Sequence, residues 1–103
     1  MTDTIYTPEQ IQQILFPVFL QYPVKKAILF GSYAKGTAET KSDIDILVDS
    51  GLKGLAFFGL LEDVVTSLEK EVDLLDVSQI TPDSEIDREI LKSGVVIYES
   101  SCS

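Results

Sequence analysis

The chain has 103 residues, 45% of them apolar, which is enough for one domain with a small but real core. Seventeen acidic residues against eight basic ones, with no histidine, give a net charge of −9. Such a surface repels nucleic acid phosphates, which argues against a template-reading enzyme and for a protein or basic partner.

The single cysteine, Cys102, excludes an internal disulfide and points to a reducing, cytoplasmic setting. No signal peptide opens the chain, and no apolar run approaches the roughly 18 residues that span a bilayer. The expected organisation is one domain over 1–103, with 1–6 and 99–103 flexible.

Thr7-Pro8-Glu9-Gln10 predicts a helix entry. Thr7 is the N-cap, Pro8 the first helical residue, and Gln10 completes a capping box. Ile11, Ile14, Leu15, Val18 and Tyr22 keep helical spacing toward a core, and Pro17 should kink the helix. Phe16, Phe19 and Leu20 widen the apolar surface, either as a broadly buried helix or as a partner-binding patch.

Pro23 ends this helix, and residues 24–30 read as a buried strand. The strand stops at Gly31-Ser32-Tyr33-Ala34-Lys35-Gly36. Residues 32–36 can form a short helix whose free N–H groups favour an anion. Gly31 admits a phosphate close to the backbone, Ser32 offers a hydroxyl, and Lys35 adds positive charge. A P-loop is excluded, because Thr37 and Ala38 follow Gly36 where Lys and Ser or Thr are required.

Thr37 to Lys41 is a polar connection. Then Ile44, Ile46 and Val48 alternate with Asp43, Asp45, Leu47 and Asp49. Period two puts Asp43 and Asp45 on one strand face. Alone, Asp-x-Asp is usually a solvated strand edge. Beside a phosphate turn, two like charges call for a hard cation such as Mg²⁺. An EF-hand loop is excluded because its sixth position, which needs glycine, is Val48.

Ser50-Gly51 closes the strand, and residues 55–70 predict a second long helix. Leu61, Val64, Val65 and Leu68 are its expected buried stripe; Glu62, Asp63, Glu69 and Lys70 should face water. Phe57 and Phe58 are adjacent, so one should be core and the other exposed. Residues 71–77 predict a third strand. Within it Asp73 is either a solvent-facing edge acid or a third metal carboxylate, with Glu71, of the same parity, as second choice. Asp76 should point to the other face. Thr81-Pro82-Asp83-Ser84 starts a last helix with Ile86, Ile90 and Leu91 on its apolar side, Gly94 caps it, and residues 95–98 form a final strand.

Gly31-Ser32, ten residues, then Asp43-Ile44-Asp45 resembles the signature of the DNA polymerase β-type nucleotidyltransferases. Gly-Ser-Tyr-Ala-Lys-Gly followed by Ser-Asp-Ile-Asp-Ile-Leu-Val looks like the minimal nucleotidyltransferase (MNT) domains, often antitoxins paired with a HEPN-domain toxin. The resemblance is strongest over residues 28–49 and extends more weakly over nearly the whole chain. It departs at Lys35, where the family commonly has arginine, which alone gives bidentate phosphate geometry.

The resemblance implies an α/β, two-layer nucleotidyltransferase fold with a mixed sheet. It implies that Gly31, Ser32 and Lys35 hold ATP and that Asp43, Asp45 and Asp73 hold two Mg²⁺ ions. It implies AMP transfer onto a tyrosine of a HEPN toxin, within a homo- or hetero-oligomer. Occlusion of the partner without catalysis, and transfer to a small molecule, are the alternatives.

Overall fold

The computed structural model describes residues 5–100. Expectations for residues 1–4 and 101–103, Cys102 among them, lie outside the described residues. The elements run α1 (Pro8–Leu20), β1 (Lys26–Phe30), α2 (Ser32–Lys35), β2 (Ile44–Asp49), α3 (Leu55–Leu68), β3 (Val72–Asp76), a 3₁₀ turn (Val77–Gln79), α4 (Glu85–Ser93) and β4 (Val95–Glu99).

The four strands form one mixed sheet in the order β3-β2-β1-β4. β1 pairs antiparallel with β2 and with β4, while β2 and β3 are parallel and joined through α3. A parallel pair needs such a crossover, and a helix supplies it.

Strand alternation splits the sheet into two faces. Ala27, Leu29, Ile44, Ile46, Val48 and Leu74 join Ile11, Leu15, Phe19, Leu60, Val64 and Leu68 of α1 and α3 in the main core. The opposite parity gives Phe30 and Leu47, which pack on Ile90 of α4. The two-layer expectation therefore describes the main core, and α4 adds partial cover to the second face.

Local chemistry explains the first helix. Thr7 accepts from the Gln10 N–H, and the Gln10 side chain accepts from the Thr7 N–H, so the capping box is complete. Pro17 sits inside α1 without ending it. Phe19 is fully buried against Tyr98, with ring centroids 5.3 Å apart, whereas Phe16 and Leu20 are exposed. The apolar surplus of α1 thus divides between core and surface.

Both ends of the described segment are held by specific bonds. The Tyr6 hydroxyl donates to the Leu68 carbonyl, and the Ser100 N–H donates to the Lys25 carbonyl. Tyr22 donates to the Asp63 carboxylate, clipping the end of α1 to α3.

Three expectations need correction. The core residues of α3 are Leu60, Val64 and Leu68, with Leu61 and Val65 only half-buried, so the stripe is rotated by about one position. Lys70 does not face water: it is 3% exposed and donates to the Thr40 carbonyl, pinning the connection that precedes β2. Ile86 and Leu91 are both exposed, because α4 meets the sheet through Ile90, its one buried residue. Phe57 and Phe58 divide as expected, the former half-buried and the latter exposed.

Gly94 follows α4 with an extended backbone, so positive φ is not its role. Space is: a Cβ there would lie 2.5 Å from the Ile90 carbonyl oxygen and 2.8 Å from Ile28.

Candidate active site

β1 ends at Phe30, which pairs with Asp45 of β2. Gly31 follows, with φ +75°, a conformation that favours glycine. The chain then enters α2, which closes on Gly36 at φ +77° with its N–H bonded to the Ser32 carbonyl. The Lys35 N–H bonds back to the Gly31 carbonyl. This turn lies directly on the acid strand: a Cβ on Gly31 would stand within 2.2 Å of the Asp45 carboxylate.

Asp45 and Asp73 are register partners across the parallel β2–β3 pair. Their parity puts both side chains on the α4 face, close enough for the charge of Asp73 to act on Asp45. Burial pushes the Asp45 carboxyl up to about 6 from an ordinary 3.8, with further contributions from the Asp73 charge and then from Asp43 and Glu89. Two carboxylates held side by side mark a place where a divalent cation would be electrostatically welcome.

Asp43 precedes β2 and is exposed. Its charge reaches Asp45, but it is not gathered into the pair: no group of three acid, histidine or cysteine side chains close enough to hold a metal forms among the described residues. Glu71 is exposed just before β3, and its carbonyl accepts the Ile44 N–H. The donor set facing the turn is all carboxylate, which suits a hard cation such as Mg²⁺.

Lys35 leaves the turn toward α4, where its ammonium meets the Glu89 carboxylate at 2.6 Å. Glu89 also stands near enough to Asp45 to raise its proton affinity. The sequence reading missed Glu89. Its only local sign was its place beside the buried Ile90 on an amphipathic helix.

Asp76 does point to the other face. Burial alone would raise its carboxyl, but hydrogen bonds from the Ser78 N–H and from the Ser50 hydroxyl and N–H outweigh that and hold it below the ordinary value. Its role is structural: it ties the end of β3 to the end of β2.

A model of the polymerase beta nucleotidyltransferase domain matches residues 9–102. The chain belongs to this nucleotidyltransferase family. A protein of Methanocaldococcus jannaschii, named as a candidate protein adenylyltransferase, is 38% identical over 76 residues, covering 71% of this chain and 81% of that one. Among solved structures, a toxin–antitoxin crystal structure with AMP-PNP superposes with a TM-score of 0.73 at 23% identity, covering 87% of this chain and 74% of that one. A tri-AMPylated Shewanella oneidensis HEPN toxin in complex with MNT antitoxin gives 0.67 at 19% identity, covering 91% and 74%. At those identities the superpositions establish the shared fold.

Proposed function

We propose that the chain works as a single minimal nucleotidyltransferase domain that moves AMP from ATP to a tyrosine hydroxyl of a HEPN toxin, and so silences it. The observation that carries this reading is the Asp45–Asp73 pair set against the Gly31 turn. Family membership and the AMPylated toxin in the neighbouring complex support it.

In this reading the triphosphate lies on the Gly31-Ser32 backbone, where glycine permits close approach. Asp45 and Asp73, with Asp43, the residue preceding β2, would hold Mg²⁺, which would neutralise the triphosphate and make the acceptor hydroxyl more acidic. The acceptor oxygen forms a bond to the α-phosphorus as the bond to pyrophosphate breaks. With no histidine in the chain, Asp73 is the side chain suited to take the hydroxyl proton. Gly31 and α2 orient the triphosphate in line with the acceptor, so the work is mostly positioning.

Transfer of label from α-labelled ATP to the cognate partner tests this. Wild type should label it; Asp43→Asn with Asp45→Asn should not. Equal labelling by the double variant would overturn the mechanism.

A second reading, neutralisation by occlusion alone, is favoured by the exposed Phe16, Leu20 and Phe58. Protection of cells by the same double variant at the wild-type level would select it.

A further inference from the structure

We infer that Glu89 is a positioning residue: its carboxylate fixes the Lys35 ammonium at the end of the Gly31 turn, where an incoming triphosphate meets it. This rests on the nucleotidyl-transfer reading above and names a residue that reading does not use.

The link joins residues 54 positions apart, on α2 and α4, at 2.6 Å. Glu89, the third acid acting on Asp45 after Asp73 and Asp43, adds repulsion to a site already crowded with negative charge. The contact it makes in return is with Lys35. Glu89 is also well anchored, because its neighbour Ile90 packs on Phe30, next to the turn, and on Leu47, within the acid strand. Its own carbonyl accepts the Ser93 hydroxyl.

Lysine explains why a tether is useful. Its ammonium is a point charge on a flexible stem, and it lacks the rigid fork by which arginine grips phosphate. Holding one of its three protons on Glu89 restricts the stem and leaves two donors for phosphate oxygens. The Lys35 side chain is 47% exposed, so a ligand can reach those donors.

The test is a double-mutant cycle on Glu89→Ala and Lys35→Met. It is read by equilibrium binding of ATP with Mg²⁺, by KM and kcat for partner labelling, and by melting temperature. Glu89→Ala should weaken ATP binding about three- to fivefold, the scale of a partly exposed ion pair. The change should fall on KM rather than kcat. Glu89→Gln, which still accepts from Lys35, should recover most of the loss. In the Lys35→Met background Glu89→Ala should add nothing. Unchanged or tighter binding by Glu89→Ala, or an equal loss in the Lys35→Met background, overturns the inference. The expected binding pattern without any labelling by wild type would overturn the transfer reading and leave this one standing. Failure of wild type to bind ATP overturns both.

Discussion

A Cβ on Gly31 would stand 2.2 Å from Oδ2 of Asp45, so the Gly31 turn and the acid strand are in van der Waals contact through a missing side chain. The positive φ of Gly31 adds a second reason for glycine. Gly31→Ala should therefore act on stability and activity together. Backbone strain of this kind costs roughly 1–3 kcal/mol, measurable by urea unfolding. Label transfer should be lost even where the variant remains folded, because Asp45 has to move.

Asp45 should make wild type less stable as pH rises. Its folded-state carboxyl titrates at about 6, above the ordinary 3.8, so the folded chain binds more protons than the unfolded one between these values. The stabilisation from this group is complete below about pH 4 and is lost as pH rises to about 6. Asp45→Asn removes the repulsion with Asp73. It should raise the melting temperature relative to wild type at pH 7.5, do so far less at pH 4.5, and abolish transfer at both. Thermal melts without divalent cations check the sign, and added Mg²⁺ should close the pH 7.5 gap by stabilising wild type.

Asp76 should behave in the opposite sense. Its carboxyl is held below the ordinary value by Ser78 and Ser50, so its stabilisation is present above that value and is lost as pH falls through the lowered one. Asp76→Ala leaves the Ser50 and Ser78 N–H groups without their acceptor and should cost about 2–3 kcal/mol by denaturant unfolding at pH 7. The residual folded protein should still transfer label, because Asp76 lies on the face away from Asp45.

The Thr7 cap gives a local control. Thr7→Ala removes the acceptor for the Gln10 N–H and should cost about 1 kcal/mol with no effect on transfer per folded molecule.

Much of this was legible from local pattern. The capping box at Thr7 and Gln10, the alternation through Ile44, Ile46 and Val48, and the opposite parity of Asp73 and Asp76 each depend on neighbours within a few residues. The Gly31-Ser32 to Asp43-Ile44-Asp45 spacing carried the family resemblance for the same reason. What escaped depends on distant partners. Lys70 reads as a surface lysine until Thr40, 30 residues earlier, offers its carbonyl. Glu89 reads as a solvated helix acid until α4 lays it on Lys35. The phase of α3 was ambiguous because apolar residues occupy most of its turns, and only packing on the sheet chose Leu60 over Leu61. Asp73 beside Asp45 was one of two sequence readings, and choosing it over Glu71 needed the β2–β3 register, which parity alone does not set.

Asp73, rather than Glu71, stands opposite Asp45, and the proposed transfer depends on that placement. The most direct measurement is transfer from α-labelled ATP to the partner by Asp73→Asn and Glu71→Gln side by side. If Asp73 serves the transfer as proposed, Asp73→Asn should slow it on the order of a thousandfold, with Glu71→Gln near wild type. Near-normal transfer by Asp73→Asn, with the loss falling on Glu71→Gln, would contradict it.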